Sequence, residues 1–481
     1  MRIADEPRAS GADFLQLDCS KAPARGLTDW LVAEIRESIA DGRLSHGQRL
    51  PATRALADDL SVSRGVVVET YRRLTDEGLL DAHGSSGTRV AARPARPTLP
   101  DTTADRSRRG QDRLPRPREQ SGEVIDLTPG VPDLSAFPRH LWLRAERAVL
   151  SETPWQALGY GDPRGHPQLR SELAGWLTRT RGLRAAADDI LVVAGVAQSV
   201  ALTAQSLHRN GTRSIAVEEP GSRGVLDELR HWGLQPVPIR VDDEGILVDE
   251  LAASGATSVL LTPAHQFPTG VALSPARRRA LLGWAENAEL IIEDDYDAEY
   301  RYDRAPVPAL KAAAPERIAY TGSVSKALAP ALRLGWLVPP SHHYDDLVDA
   351  KHASDLGSPT LPQLVLAHLL ATGQYDRHTR LTRIRHRARR DALLDGLGPT
   401  LPGVSVLGVA AGLHLVITIA DLASDDQSLC DTLRAEGIVV QPLSMHRQLP
   451  GQAGLVVGYA ACGPDQLRLA GRRIARVLTS S

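Results

Sequence analysis

The sequence predicts two domains of different class: a small helical N-terminal domain that ends in a β-hairpin, and a large α/β domain built on a mostly parallel sheet. Hydrophobic residues recur at helical spacing over 26–92, whereas 123–481 alternates short β-branched runs with amphipathic helices. Between these stretches the chain fills with proline and arginine and loses its hydrophobic periodicity. We therefore predict a first domain at 24–92, an extended linker at 93–122 and a second domain at 123–481.

Length and composition indicate an ordinary globular chain. Its 481 residues correspond to two or three domains, and its hydrophobic and charged fractions of 42% and 24% argue against a largely disordered or fibrous protein. The formal net charge of −2 gives no global attraction for nucleic acid. Three cysteines without CxxC spacing predict neither disulfides nor a zinc site. With no signal peptide and no apolar run near the roughly 18 residues of a bilayer span, we expect a soluble, cytoplasmic protein without a membrane partner.

The first domain is predicted to contain three helices and a hairpin. Four apolar residues at i+4 spacing predict the first helix: Leu27, Leu31, Ile35 and Ile39. Thr53 is positioned to cap a short second helix, and Ser63 to cap a third. Two short strands then flank the turn GSSG at 84–87. This order of elements is that of a winged helix-turn-helix.

A winged helix reads DNA mainly with the first turn of its third helix, while the wing and the preceding helix contact phosphates. On these grounds the candidate DNA contacts are Arg54, Ser63, Arg64, Gly84 and Ser85. Charge alone does not favour DNA, because 26–92 holds eight arginines against ten acidic residues. A small protein-interaction domain is the alternative that these residues leave open.

Residues 26–91 resemble the DNA-binding domain of the GntR regulators over their whole length, through GRLSHGQRLPATRALADDLSVSRG and HGSSGTRV. By this resemblance Arg54, Ser63 and Arg64 match the DNA-contacting positions, and 84–87 matches the wing. The resemblance implies double-stranded DNA as partner, an operator with two half-sites and a homodimer.

In the second domain, two segments carry the groups that pyridoxal phosphate chemistry requires: an amine, a carboxylate for the pyridine nitrogen, a hydroxyl and phosphate donors. Lys326 lies in SVSK directly after the strand IAYTG, and Asp294 lies where the apolar strand LIIEDDYD ends. The other candidates in these segments are Tyr296, Ser323, Ser325 and Arg333. Alone, SVSK is more typical of a surface lysine. EDDYD alone is more typical of a solvated turn or a metal site. A magnesium site would be favoured by a phosphate-binding glycine loop after this stretch, and none follows it. We therefore predict no metal.

Taken in order, six segments resemble the class I aminotransferases over about 350 residues, among them YGDPRGHPQLR, TPAHQFPTG, EDDYDAEYRY and SVSK. A GntR-like domain joined by a basic linker to such a domain is the architecture of the MocR regulators, which include the GABA-responsive and the pyridoxine-biosynthesis regulators. The resemblance implies a fold-type I PLP-dependent aminotransferase-like domain with pyridoxal 5′-phosphate as its cofactor.

The resemblance also assigns roles by position. Lys326 would form the internal aldimine, Asp294 would pair with the pyridine nitrogen, and Tyr296 with the ring oxygen. His265 or Gln266 stands where enzymes keep an asparagine beside that oxygen. Phosphate donors would come from Ser323, Ser325, Arg333 and the helix start at Val196, Ala197 and Gln198, with Tyr160 reaching the phosphate of a neighbouring subunit.

Three departures from the family pattern determine the function that we expect. Ser222 stands where many relatives have a ring-stacking aromatic residue, and Val196 where they have a hydroxyl. Val456 and Ala461 occupy the places of the arginine that clamps a substrate carboxylate. We therefore expect a sensor of pyridoxal phosphate that controls vitamin B6 synthesis or salvage, and not an enzyme. The alternatives are a regulator that senses an amino compound, clamped by Arg223 or Arg301, and a true aminotransferase.

Overall fold

The computed structural model divides by internal contacts into two units, 1–118 and 119–481, which we describe separately. The structure describes residues 23, 26–41, 43–44, 46–82, 87–91, 124–297, 299–302, 307–399, 402–420 and 425–480. The predicted linker at 93–122 lies outside these ranges. Within them, no helix is both long and apolar enough to cross a bilayer.

The described part of the smaller unit contains three helices and an antiparallel hairpin, as predicted. Its elements are α1 (Leu27–Ala40), α2 (Thr53–Asp59), α3 (Arg64–Asp76), β1 (Leu80–Ala82) and β2 (Thr88–Val90). One apolar cluster joins all of them, with Ile35, Leu56, Val67 and Leu74 fully buried. The unit therefore has a core of its own.

The start of α3 follows the prediction and the start of α2 does not. Ser63 is the N-cap of α3, and its hydroxyl accepts a hydrogen bond from the Val66 amide at 3.4 Å. Thr53 is already the first helical residue of α2, where Ala52 occupies the cap position without a side-chain hydrogen bond. The cap prediction for Thr53 was wrong by one residue, the usual uncertainty of a helix boundary.

The larger unit is built on an eight-stranded sheet with the order β4-β11-β10-β9-β8-β5-β6-β7. Its strands are β4 (Leu191–Val193), β5 (Ser214–Glu219), β6 (Gln235–Asp242), β7 (Gly245–Ile246), β8 (Ser258–Leu261), β9 (Leu290–Asp294), β10 (Ile318–Ser323) and β11 (Gly335–Val338). The strands from β10 to β6 are parallel, as predicted. β11 is antiparallel to both of its neighbours, because the short connection 324–334 holds no crossover helix.

A second sheet, which the sequence did not predict, is antiparallel with the order β12-β13-β16-β15. It consists of β12 (Val404–Leu407), β13 (His414–Ile419), β15 (Gln441–Pro442) and β16 (Gly454–Gly458), and a separate parallel pair joins β3 (Ile125–Asp126) to β14 (Ile438–Val439). One apolar cluster combines the inner faces of both sets of strands with the last helices of the chain. This part of the unit forms a second layer beside the main sheet.

Eleven helices accompany these strands in the described part of the larger unit. They are α4 (Arg139–Glu152), α5 (Pro167–Arg181), α6 (Val196–Arg209), α7 (Arg223–His231), α8 (Val248–Ala253), α9 (Pro275–Ala285), α10 (Ser341–Asp355), α11 (Thr360–Ala371), α12 (Gln374–Leu397), α13 (Asp426–Ala435) and α14 (Pro464–Ser480). Apolar clusters pack on both faces of the main sheet. Ligands of such sheets bind beyond the carboxyl ends of the strands, where β9 and β10 end side by side.

Candidate cofactor site and DNA-binding surface

Lys326 lies just beyond the end of β10, and its side chain enters a densely packed pocket. Its amine donates a hydrogen bond to the carbonyl oxygen of Gly130 at 2.5 Å. Burial lowers the pKa of this amine, while the charges of Asp297 and Asp294 oppose the shift. A lysine amine with a lowered pKa has a larger neutral fraction at pH 7, which is the form that attacks a carbonyl carbon.

Asp294 is the last residue of β9 and is buried. Its Oδ1 has no hydrogen-bond partner among the described residues. Burial, with the nearby charges of Asp295 and Asp297, raises the pKa of this carboxyl to about 8, although Lys326 acts in the opposite direction. An unpartnered buried carboxyl of this kind fits a ligand that brings a cation or an N–H group, as a pyridinium does.

Asp294→Asn should therefore stabilise the ligand-free protein. Because the folded pKa lies above the ordinary value of 3.8, the folded state binds the proton more tightly, and stability falls as pH rises between about 4 and 8. We expect the substitution to raise the free energy of unfolding at pH 8 by about 1 kcal/mol or more, and to flatten its pH dependence. Urea unfolding at pH 6 and pH 8 measures both effects.

The matched control for that experiment is Asp426→Asn. Asp426 is also buried, but its carboxylate accepts hydrogen bonds from the Ser444 amide, the Ser444 hydroxyl and the Gly454 amide. We expect this second substitution to destabilise the protein, since it removes a satisfied acceptor. Destabilisation of the ligand-free protein by Asp294→Asn as well would contradict the assignment of Asp294 as an unpartnered acid.

The other carboxylates of the EDDYD segment point to separate partners and do not converge on a metal ion. Asp295 pairs with the buried guanidinium of Arg181 and accepts a hydrogen bond from the Tyr320 hydroxyl at 2.5 Å. Glu293 accepts hydrogen bonds from two backbone amides at 2.8 and 3.0 Å. Arg181 therefore supplies the cation that balances the buried Asp295 carboxylate.

Tyr296, His265 and Asp297 form a hydrogen-bonded group on the side of the pocket next to Asp294. His265 Nδ1 lies 3.0 Å from the Tyr296 hydroxyl and 2.9 Å from an Asp297 oxygen. Gln266 instead binds backbone, because its amide nitrogen donates to the carbonyl oxygens of Pro220 and Phe267. Of the two side chains predicted for the place of the asparagine, it is therefore His265 that contacts Tyr296.

Asp297 was missed by sequence reasoning, although it stands in the same EDDYD segment. Its role shows only in the structure, where it sets the orientation of the His265 ring. One potential ligand atom each of His265, Asp297 and His414 lies within 4.8 Å of the other two. Gly412 lies directly against the His265 ring, because a Cβ added to this glycine would lie 2.0 Å from a ring atom.

The predicted phosphate donors meet at the start of α6. Gly195, at φ 96°, precedes the helix, and the position of an added Cβ there lies 3.6 Å from Arg333 Nη1 and 3.8 Å from Ser325 Oγ. The first amides of a helix lack intrahelical partners and favour anions, which applies to Val196 and Ala197. The Gln198 amide instead donates to the Gly195 carbonyl at 3.1 Å. The side chains present at this turn fit a phosphate group.

Ser323 and Tyr160, the other two predicted phosphate contacts, differ in burial. Ser323 ends β10, and its buried hydroxyl accepts a hydrogen bond from the Ser325 amide at 3.4 Å. Tyr160 is 94% exposed, and Trp155 nearby in the chain is 78% exposed. Within a single subunit the structure does not bring Tyr160 to the other site residues, so its predicted role requires a second copy of the chain.

Neither residue at the expected positions of the carboxylate-binding arginine brings a positive charge to the pocket. Val456 is fully buried within β16, and Ala461 follows that strand as an exposed residue. Arg223 is exposed, with its Nε 3.8 Å from Asp227. Arg301 lines a small cavity of about 10 Å³ together with His265 and Asp297, and is the arginine nearer to the site. Ser222 is the N-cap residue of α7 and presents no ring.

The arginines of α2 and α3 in the smaller unit fall into two groups. Arg72 pairs with Glu69 and Asp76, and Arg73 with Asp29 and Glu69, so acidic neighbours neutralise the far end of α3. Arg54 and Arg64 are both exposed, and neither forms an ion pair or hydrogen bond with any residue that the structure describes. These two guanidiniums are free for phosphates or base edges. Gly84 and Ser85 lie outside the described residues.

Comparisons with known proteins separate the chain in the same way. Residues 27–90 match the model of the bacterial regulatory proteins of the gntR family, and residues 123–474 match that of the class I and II aminotransferases. The chain is 32% identical over 91% of its length to the HTH-type pyridoxine biosynthesis transcriptional regulator PdxR of Corynebacterium glutamicum, covering 93% of that protein. It is 30% identical to the probable rhizopine catabolism regulatory protein MocR of Rhizobium meliloti, over 91% of each chain.

The chain belongs to the MocR family. Members of this family are transcriptional regulators in which a helix-turn-helix domain precedes an aminotransferase-like domain. Among solved structures, the MocR-type chain resembles the kynurenine aminotransferase of Pyrococcus horikoshii, crystallised in complex with PMP. The TM-score is 0.69 at 25% identity, over 75% of this chain and 92% of that one. The larger unit thus has the fold-type I aminotransferase architecture.

Proposed function

We propose that this MocR-type chain is a homodimeric DNA-binding regulator whose aminotransferase-like domain binds pyridoxal 5′-phosphate as its signal. The observation that carries the proposal is the unpartnered carboxyl of Asp294 beside the Lys326 amine, at the end of a sheet whose neighbouring turn gathers phosphate donors. The same chain presents the free guanidiniums of Arg54 and Arg64 on its helix-turn-helix. The PMP complex of the Pyrococcus enzyme supports the same class of ligand.

Each residue of the pocket has a defined task in this proposal. When bound, pyridoxal phosphate supplies an aldehyde that bonds to an amine and a pyridine ring that withdraws electrons. Lys326 provides the amine, and Asp294 keeps a proton on the ring nitrogen. Tyr296 would donate to the ring oxygen, while Asp297 fixes the His265 ring that contacts the Tyr296 hydroxyl. Ser325 and Arg333 with the first amides of α6 hold the phosphate.

We propose that the specific signal is pyridoxal phosphate itself and that the regulated genes serve vitamin B6 synthesis or salvage. An amino acid would bring a carboxylate into a pocket where Val456 and Ala461 replace the clamp, and an unpaired buried carboxylate costs several kcal/mol. The similarity to PdxR of Corynebacterium glutamicum supports this pathway. The alternative signal is an amino compound bound by Arg301, which lines the cavity next to His265.

The experiment that separates these signals starts from protein loaded with pyridoxal phosphate. Operator affinity and the cofactor spectrum are recorded before and after addition of GABA, taurine and D-alanine. We expect pyridoxal phosphate to change operator affinity and the three amines to leave it unchanged. A large change that requires one of the amines would overturn the assignment of the signal and leave the regulator class intact.

A working aminotransferase is the second candidate function. The match to the aminotransferase family over 123–474 and the presence of Lys326 and Asp294 favour it, whereas the missing carboxylate clamp opposes it. Multiple-turnover transamination by the purified protein with amino-acid and keto-acid pairs decides the question. We expect no sustained turnover, and turnover at an ordinary enzymatic rate would establish the second function.

If the protein is a homodimer, the full-length chain should bind DNA more tightly than its N-terminal fragment. A fragment of residues 1–92 carries one recognition helix, and its own apolar core supports folding. The full-length dimer holds two such units at high effective concentration, so we expect it to bind a two-half-site operator about 10²–10⁴ times more tightly. Fluorescence anisotropy with one labelled operator measures both affinities. Equal affinities of fragment and full-length protein would contradict the homodimer.

A further inference from the structure

Lys351 lies in the last turn and a half of α10 and its side chain is fully buried, although it carries a charged amine. The amine donates to Asp355 at 2.8 Å, to the Ser358 hydroxyl at 3.1 Å and to the Gln198 side-chain oxygen at 3.4 Å. Burial lowers the pKa of this amine, and the hydrogen bond to Asp355 opposes the shift. Burying an ammonium group is costly unless all its hydrogen bonds are satisfied, and here its partners come from three segments.

Gln198 connects this lysine to the turn before α6. Its side-chain nitrogen donates to Asp355 at 2.8 Å, and its side-chain oxygen accepts from the Ala194 amide at 2.7 Å. Gln198 is the third residue of α6, so its side chain reaches back across Ala194 and Gly195. These residues form the turn that positions the first amides of the helix. The side chain of Gln198 is thereby held at both ends.

The same network also reaches the strand that leads into this turn. The Ser358 hydroxyl donates to the Val192 carbonyl of β4 at 3.5 Å, and the Gly357 amide donates to Asp355 at 2.9 Å. The two sides of the turn, β4 and α6, are therefore both tied to one buried lysine. Of the residues in this network only Gln198 is among the predicted phosphate donors, through its backbone amide; Lys351, Asp355 and Ser358 are not.

Building on the proposed cofactor, we propose that Lys351 and Asp355 are positioning residues for its phosphate group, acting through Gln198 on the turn at Ala194 and Gly195. A turn held from both sides keeps the first amides of α6 aimed at one point, which favours a compact anion. The network should therefore matter for the phosphate end of the ligand and not for its ring, which lies with Asp294 and Tyr296.

Comparison of pyridoxal phosphate with pyridoxal, which lacks the phosphate, tests this inference. Dissociation constants of the full-length protein for both compounds come from absorbance titrations. In Lys351→Met we expect the preference for pyridoxal phosphate over pyridoxal to fall by about tenfold, because a loosened turn would weaken the hydrogen bonds from the first amides of α6 to the phosphate. Gln198→Leu should reduce the same ratio, and it serves as a second variant should Lys351→Met fold poorly.

The matched control is Lys311→Met. Lys311 is another buried lysine, but its amine donates to the backbone carbonyls of Pro315, Ile318 and Pro339, at the opposite end of β10 from the site. Its loss should lower stability and leave the ligand preference unchanged.

The possible outcomes distinguish the inference from the proposed function. An equal loss of affinity for both compounds in Lys351→Met, or no loss for either, would overturn the positioning role while the cofactor assignment stands. Wild-type protein that binds pyridoxal phosphate no better than pyridoxal would overturn the proposed cofactor site and the inference with it. A reduced ratio in both Lys351→Met and Gln198→Leu, but not in Lys311→Met, supports the inference.

Discussion

Lys326→Ala should abolish the covalent attachment of pyridoxal phosphate. The sequence contains only four lysines: Lys21, Lys311, Lys326 and Lys351. The amine of Lys311 donates hydrogen bonds to three backbone carbonyl oxygens, and that of Lys351 forms an ion pair with Asp355. Lys21 lies outside the described residues. Among the three described lysines, only Lys326 lies in the pocket with Asp294, and burial lowers the pKa of its amine, which favours reaction with an aldehyde.

Reduction with borohydride followed by peptide mass spectrometry measures this attachment. In the wild-type protein we expect one pyridoxyl group on the peptide that contains Lys326, and in Lys326→Ala none. Lys311→Ala, which removes another buried amine, should retain the label. A reduced adduct that persists in Lys326→Ala on any other lysine would contradict the assignment.

Arg64→Ala should produce the second large effect, a loss of sequence discrimination on DNA. Arg64 opens α3, the helix expected in the major groove, and its exposed guanidinium has no protein partner among the described residues. A bidentate contact to a base contributes about 1–3 kcal/mol of discrimination. We therefore expect the ratio of specific to non-specific affinity to fall by about 5- to 150-fold. Competition between the operator and unrelated DNA measures this ratio.

Arg72→Ala is the matched control on the same helix. Arg72 is equally an exposed arginine of α3, but Glu69 and Asp76 neutralise it. Its removal should change the specific and the non-specific affinity little. If Arg64→Ala altered neither affinity, α3 would not be the recognition helix. An even decrease of both affinities with a flatter salt dependence would place Arg64 on a phosphate instead of a base.

Local sequence signals predicted the elements that depend on local physics. The spacing of Leu27, Leu31 and Ile35 defines α1, and the hydroxyl of Ser63 caps α3. The alternation of β-branched runs and helices likewise gave the parallel core of the main sheet. Asp294 and Lys326 could be proposed as site residues because one ends a recognisable apolar strand and the other lies shortly after one.

Features that depend on contacts between distant segments were not predicted. In the antiparallel sheet β12-β13-β16-β15, β13 pairs with β16 although α13, β14 and β15 lie between them in the chain, and no local pattern specifies this order. The pairing of Asp297 with His265 spans 32 positions, and that of Lys351 with Gln198 spans 153. Such partners come together only through the fold of the sheet, so their roles became visible in the structure.

We expect cofactor occupancy and DNA binding to be coupled in this protein. The most direct test of this coupling is the dissociation constant for DNA from its own promoter region, measured with and without pyridoxal phosphate at one salt concentration. We expect a change of about fivefold or more on loading, an equal reciprocal effect of DNA on cofactor affinity, and no change in Lys326→Ala. The same dissociation constant for loaded and unloaded wild-type protein would contradict the coupling.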